Sequence, residues 1–147
     1  MKKVIFLSLI ASLVVLGCNQ KPANSPQGAW KLISTEAIID DESHIEFPLT
    51  YSGFQYKIWT DKNWMFFSRW HQDTLSGEDY GGGDYTIDGN QYMEHIVYHS
   101  MQDYEGLSVD MTLEIRNDTL IQMYNPVDSL GQTIENQISV ETYVPWE

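Results

Sequence analysis

The residues of this chain best suited to ligand chemistry are concentrated in 91–99, QYMEHIVYH, which holds one carboxylate, two imidazoles and two phenols. Apolar and polar residues alternate there, as in a β-strand whose side chains point to two faces. One face carries Tyr92, Glu94, Ile96 and Tyr98, and the other carries Met93, His95, Val97 and His99. In a closed sheet, either the carboxylate or the two imidazoles must face the interior, and the pattern leaves that choice open.

An inward Glu94 would need hydrogen bonds, for example from tyrosine hydroxyls, and would then be a polar anchor for a ligand. His95 and His99 cannot share a metal ion, because four residues along a strand span about 13 Å. We predict no metal site. The four histidines are interpreted as surface residues or as satisfied core residues: His44, His71, His95 and His99.

Other groupings of polar residues and glycines favour structural interpretations. Asp40-Asp41-Glu42 with Glu46 lacks the ligand spacing of a calcium loop and is typical of a solvated acidic loop. Gly81-Gly82-Gly83 precedes a strand among acidic residues, which favours a bend or bulge over a phosphate site. The sequence contains no Gly-x-Ser-x-Gly and no His-Glu-x-x-His motif, so we predict neither an enzyme nor a cofactor.

The charge balance excludes one class of partner. The 147 residues include 21 acidic and 8 basic side chains, for a formal net charge of −13. A field of this sign repels phosphate backbones, so we predict no nucleic-acid binding.

The first residues form a targeting segment. Lys2 and Lys3 precede an apolar run over 4–16, which is typical of a secretory signal and short for a membrane span. Val15-Leu16-Gly17-Cys18 resembles the lipobox of bacterial lipoproteins. The resemblance implies removal of residues 1–17 and lipidation of Cys18. The alternative is an ordinary cleaved signal with a free cysteine.

Lipidation would make the membrane the location of the protein and not its substrate, because acyl chains anchor a soluble domain. Asn19 follows the cysteine where an aspartate would retain some lipoproteins in the inner membrane. The resemblance therefore implies a lipid anchor in the outer membrane of a diderm bacterium, on the periplasmic side or the cell surface. Residues 18–27 are polar and contain proline, as in a short tether, and 28–147 would form one domain.

Most of that domain alternates with the period of β-strands. We predict eight of them, at 28–39, 53–60, 64–70, 82–88, 91–99, 107–116, 119–124 and 138–143. A short helix within 36–44 is the only one that the pattern allows. Short turns favour antiparallel pairing, and closure removes exposed edges. We therefore predict an all-β, antiparallel up-and-down barrel, with a β-sandwich as the alternative.

Three motifs carry a family resemblance. Gly28-Ala29-Trp30 resembles the Gly-x-Trp of lipocalins, in which the tryptophan plugs the closed end of the barrel, and GGGDYTIDGNQYMEHIVYHS over 81–100 is similar to a hairpin of small lipocalin-like bacterial lipoproteins. Asn117-Asp118-Thr119-Leu120 fits a strand opening of the same group. The resemblance implies a lipocalin-like barrel closed by Trp30. The chain lacks the helix after the barrel and the late arginine of typical lipocalins, and no ligand is carried over.

The alternation also predicts the interior. If Gln55 and Lys57 face solvent, the opposite face of their strand points inward. In 64–70 the face with Arg69 is the more suitable exterior. The predicted lumen residues are Tyr56, Ile58, Trp64, Phe66, Tyr85, Tyr92, Glu94, Met111 and Leu113. They would form a cavity for a small hydrophobic or amphipathic molecule. The alternative is a filled barrel that acts as an envelope structural or protein-interaction module, with an exposed aromatic patch from Trp59, Trp70 or Trp146.

Overall fold

The structure, a computed structural model, describes residues 25–128 and 130–147. Its strands are β1 Gly28–Ile39, β2 Glu42–Phe47, β3 Ser52–Trp59, β4 Asn63–Gln72, β5 Leu75–Asp88, β6 Gln91–His99, β7 Ser108–Arg116, β8 Thr119–Tyr124 and β9 Gln137–Pro145. A 3₁₀ turn, Gln102–Tyr104, follows β6. No helix within these ranges has the length and apolar character needed to cross a membrane. The predicted signal peptide and Cys18 lie outside the described residues.

The strands form a closed antiparallel barrel, which confirms the predicted fold class. Each strand from β3 to β8 pairs with the next, and β1 pairs with both β3 and β9 to complete a ring of eight. The remaining strand, β2, lies outside this ring and pairs with residues 35–39 of β1. Since β3 pairs only with residues 28–31 of β1, the wall has a break beside residues 32–34.

The barrel has a closed end and an open end. In an antiparallel meander, alternate turns lie at the same end of the barrel. The turns at 60–62, 89–90 and 117–118 lie at the closed end together with the start of β1. Trp30 is buried there, and its Nε1 donates to the carbonyl of Pro26 over 2.7 Å. The buried core consists of Trp30, Leu32, Trp59, Trp64, Tyr85, Tyr92, Ile96, Val109, Met111, Leu113, Leu120 and Tyr143.

The helix predicted within 36–44 is wrong, because that segment forms the end of β1, a two-residue turn and the start of β2. Asp40 and Asp41 both adopt positive φ, 50° and 66°. Two such residues make the tight turn that matches the twist of a hairpin, and aspartate tolerates this conformation better than most residues. The acidic pair is therefore a turn between strands.

β5 begins at Leu75, well before the predicted start at 82, and the glycine run lies in its middle. Gly82 pairs with Tyr98, whereas Gly83 pairs with Ile96, so β6 holds Val97 as one extra residue opposite the glycines. This bulge brings the two backbones very close. A Cβ on Gly83 would lie 1.8 Å from the carbonyl oxygen of His95.

We expect Gly83→Ala to lower the free energy of unfolding by about 2–3 kcal/mol, because the added methyl group must displace the β6 backbone. Urea denaturation at neutral pH measures this change. Gly89→Ala is the control: nothing lies within 4 Å of a Cβ there, and its φ of +62° should cost about 1 kcal/mol. Equal losses for the two variants would contradict the close approach at the bulge.

Candidate functional site in the barrel lumen

The open half of the barrel contains a cavity of about 270 Å³, which we call the lumen cavity. Its strand residues are Gln55, Lys57, Trp64, Phe66, Glu94, Ile96, His99, Val109, Met111, Gln122, Tyr124 and Glu141, and its rim is completed by Met101, Tyr104, Pro126 and Val127. Most of this lining is aliphatic or aromatic. The amide, charged and imidazole groups come from four strands, β3, β6, β8 and β9. An apolar lining with convergent polar groups is the usual composition of a small-molecule site.

A buried ion pair forms the floor of the lumen cavity. Lys57 on β3 and Glu94 on β6 approach to 2.6 Å between Nζ and Oε1, and their side chains are 6% and 4% exposed. The ammonium also donates to Oε1 of Gln122 over 3.1 Å. Burial of a single charge would be very costly, so these two charges are stable inside the barrel only because they neutralise each other.

Aromatic groups complete this floor. Trp59 Nε1 donates to the hydroxyl of Tyr92 over 2.7 Å, and that hydroxyl donates to Oε1 of Glu94 over 2.7 Å. Burial and the neighbouring carboxylate raise the pKa of Tyr92, so its hydroxyl stays a donor at neutral pH. The ammonium of Lys57 lies 4.9 Å from the ring centroid of Trp64, within cation–π range. We call Lys57, Trp59, Tyr92, Glu94 and Gln122 the floor network.

A second carboxylate lies on β9, opposite Gln122 of the floor network. Glu141 on β9 accepts hydrogen bonds from the hydroxyls of Tyr124 and Tyr143, the first over 3.0 Å. Gln55 Nε2 donates to the Tyr143 hydroxyl over 2.8 Å. Burial, reinforced by the charge of Glu141, raises the pKa of both tyrosines well above their ordinary value. Both phenols therefore remain protonated and hold the carboxylate in place.

His99 lies at the rim of the cavity. Its ring centroid is 5.6 Å from that of Phe66 and 5.1 Å from that of Tyr104. Burial lowers the pKa of His99, and its Nδ1 accepts a hydrogen bond from the backbone N–H of Met101 over 3.0 Å. The imidazole is therefore neutral at neutral pH.

The bulge determines which side chains of β6 face the interior of the barrel. Simple alternation could not predict this arrangement. Tyr92, Glu94 and Ile96 are buried. The extra residue Val97 then shifts the alternation by one, so that His99 also reaches the cavity. Both a carboxylate and one imidazole line the interior, whereas strict alternation allows only one of the two.

Of the predicted lumen residues, four line the lumen cavity, namely Trp64, Phe66, Glu94 and Met111. Three more are buried in the core around and below it: Tyr85, Tyr92 and Leu113. Whether any of them binds a ligand stays a prediction. No group of three or more His, Cys, Asp or Glu side chains within the described ranges could hold a metal ion.

The predicted orientation of β3 is wrong. Lys57 and Trp59 are buried inside the barrel, and Gln55 lines the cavity. Tyr56 and Ile58 therefore lie on the outer face, where the ring of Tyr56 packs 4.3 Å from that of Trp146. The polar side of the strand faces inward because Glu94 compensates the charge of Lys57.

Sequence reasoning missed the polar lining, which comprises Gln55, Lys57, Gln122, Tyr124 and Glu141. One clue was present. An inward Glu94 requires a cationic partner, and Lys57 is one of the few basic residues in the middle of a predicted strand. The partner of Glu141 could not be found in this way, because two phenols take that role.

A second cavity of about 280 Å³ lies beside the break in the wall. Leu32, Tyr51, Trp70 and Asp79 are among the residues that line it, and Gln55 contributes to both cavities. We call it the side cavity. Asp79 accepts hydrogen bonds there from Trp70 Nε1 over 2.9 Å and from the hydroxyl of Ser100 over 3.1 Å.

The fold and this interior define the class: a small antiparallel β-barrel with a cavity at its open end. No protein-family model matches the chain, and no curated protein matches its sequence. The kinship with lipocalin-like lipoproteins therefore stays a prediction that depends on the motifs quoted above.

Proposed function

We propose that this protein is a membrane-anchored, lipocalin-like lipoprotein that binds one small apolar or amphipathic molecule in its barrel. The observation that carries the proposal is the lumen cavity, whose wall is largely apolar and whose floor is a fixed polar network. Within the described residues, every buried side-chain nitrogen and oxygen has a hydrogen-bond partner. The site is thus preformed, and binding need not reorganise it.

The size of the cavity limits the ligand. Its volume of 270 Å³ is just below the range of about 300–1,000 Å³ that is usual for ligand pockets. A short acyl chain or a single ring system suits this space better than a large lipid. The side cavity shares one lining residue, Gln55, with the lumen cavity.

The proposed location of the protein in the cell depends on the first 27 residues. The lipobox-like motif supports acylation of Cys18, and the polar residues after it support a tether to the barrel. An outer-membrane anchor in a diderm bacterium would place the open end within reach of envelope metabolites. This part of the proposal depends on sequence motifs alone.

Native mass spectrometry of the full chain, extracted in detergent from its own host, tests both parts. We expect a mass increase from acyl chains on Cys18 and a second, noncovalent mass from the retained molecule. Val109→Phe, which places a ring in the cavity, should lose the noncovalent mass. Val97→Phe is the control, because Val97 is 62% exposed on the neighbouring strand, and it should keep that mass.

The same experiment addresses the alternative, an envelope interaction module without a small ligand. One observation favours that alternative: the outer face carries an aromatic patch of Phe54, Tyr56, Phe67 and Trp146, whose rings contact one another. Of the tryptophans predicted for such a patch, only Trp146 belongs to it, since Trp59 is buried and Trp70 lines the side cavity. A wild-type spectrum without noncovalent mass would overturn ligand binding and leave this alternative.

A further inference from the structure

The charges that line the lumen cavity do not balance. Its lining contains two carboxylates, Glu94 and Glu141, and one ammonium, Lys57. The ammonium is fully engaged by Glu94 at 2.6 Å. In the described part of the chain, no Lys, Arg or His nitrogen lies within 4.0 Å of an oxygen of Glu141.

Neighbouring groups do not supply the missing positive charge. The partners of Glu141 are the hydroxyls of Tyr124 and Tyr143, which orient the carboxylate and carry no charge of their own. His99 at the rim is neutral at neutral pH, because burial lowers its pKa. The side cavity is lined by one carboxylate, Asp79, whose partners are neutral, and by one guanidinium, Arg69, which is already paired with Glu78.

We propose that the molecule bound in the lumen is cationic: an amphipathic amine or ammonium compound whose charged group contacts Glu141 and whose apolar part packs against Phe66, Ile96 and Met111. This inference rests on the proposed function and names the class of its ligand. A cation would complete the charge balance of the cavity, whereas a carboxylate head group would face two carboxylates. The aromatic wall adds attraction, since ring faces favour cations.

Three probes with the same eight-carbon chain test this proposal: octylammonium, octanol and octanoate. Their binding to the full chain is measured by isothermal calorimetry at neutral pH and low salt. We expect octylammonium to bind at least about tenfold more tightly than octanol, which corresponds to about 1.4 kcal/mol, and octanoate to bind most weakly. This ranking is obtained on the wild-type protein and needs no variant.

Glu141→Gln identifies the group responsible. The amide keeps the size of the side chain and removes the charge. Tyr124 and Tyr143 donate to different oxygens of Glu141, so the amide oxygen accepts from one phenol and the other phenol must turn to accept from the amide N–H. In this variant octylammonium should lose its advantage over octanol, while octanol binding changes little. Asp110→Asn removes a carboxylate from the exposed face of β7 and should leave the ranking unchanged.

The outcomes separate the two levels of the proposal. If octanol or octanoate binds as tightly as octylammonium, the proposal that the ligand is cationic is wrong, and the proposed function stands. If an advantage of octylammonium persists in Glu141→Gln, the assigned contact is wrong. If none of the three probes binds, the proposed function itself fails.

Discussion

Lys57→Met is expected to lower the free energy of unfolding by about 3–5 kcal/mol, which is the usual cost of removing one partner from a buried ion pair. The variant keeps most of the length of the side chain but leaves Glu94, 4% exposed, without a cation. A domain of this size has a total stability of only about 5–15 kcal/mol. Urea denaturation followed by tryptophan fluorescence measures the loss.

Two further variants show whether the cause is the unpaired charge. Lys57→Met combined with Glu94→Gln removes both charges and should recover most of the lost stability, because a neutral pair needs no compensation. Arg69→Met breaks an exposed ion pair, because the side chains of Arg69 and Glu78 are 54% and 64% exposed. This variant should lower the free energy of unfolding by less than about 1 kcal/mol. A loss for Lys57→Met as small as that for Arg69→Met would contradict a dry ion pair.

Alkaline pH is expected to unfold the barrel steeply. Burial, followed by the charge of Glu94 at Tyr92 and the charge of Glu141 at Tyr124 and Tyr143, raises the pKa of these three tyrosines above the value near 10 of an unfolded chain. Their stabilising contribution is fully present below pH 10 and is lost as the pH rises toward the folded-state values. Each group lowers the free energy of unfolding by about 1.4 kcal/mol per pH unit, so the three together give about 4 kcal/mol per unit.

Denaturation midpoints between about pH 8 and pH 11, together with the tyrosinate absorbance, measure this dependence. Tyr143→Phe should reduce the slope above pH 10 by about a third, although it also removes a donor to Glu141. Tyr80→Phe is the matched control, since Tyr80 is 54% exposed, and it should leave the slope unchanged. If tyrosinate formed at Tyr92, Tyr124 and Tyr143 near pH 10 in the folded protein, the expected slope would be wrong.

These predictions concern the same feature, a barrel floor and wall built from charged and phenolic groups. The floor network separates the lumen cavity from the closed end, where Trp30, Leu113 and Leu120 belong to the buried core. A polar layer of this kind prevents the lower core from admitting a ligand. It also fixes the depth to which an apolar chain could enter.

The orientation of β3 illustrates how far alternation can be used. The period of two correctly grouped Gln55, Lys57 and Trp59 on one face, but hydrophobicity alone assigned that face to solvent. The assignment failed because the outer face also buries apolar surface, with Tyr56 against Phe67 and Trp146. Where both faces are partly buried, the more polar face can be the interior if it has a charged partner there.

The second failure, at His99, arose from the register between two strands. The glycine run predicted a bend or bulge, and the register shift lies between Gly82 and Gly83. The strand that gains the extra residue is β6, which does not contain the glycines. A local pattern cannot show this, because the bulge depends on which residues face each other across the pair.

The sequence by itself determined the all-β class, antiparallel pairing and a closed barrel, because alternation, β-branched and aromatic composition and short turns act locally along the chain. The sequence also predicted an inward Glu94 as one of two possible orientations of the strand over 91–99. Only the tertiary structure decided that Lys57 is its partner and that Glu141 lies on the cavity wall without a cation. Those contacts join strands far apart in sequence, and the free energy of burying a charge depends on what closure places beside it.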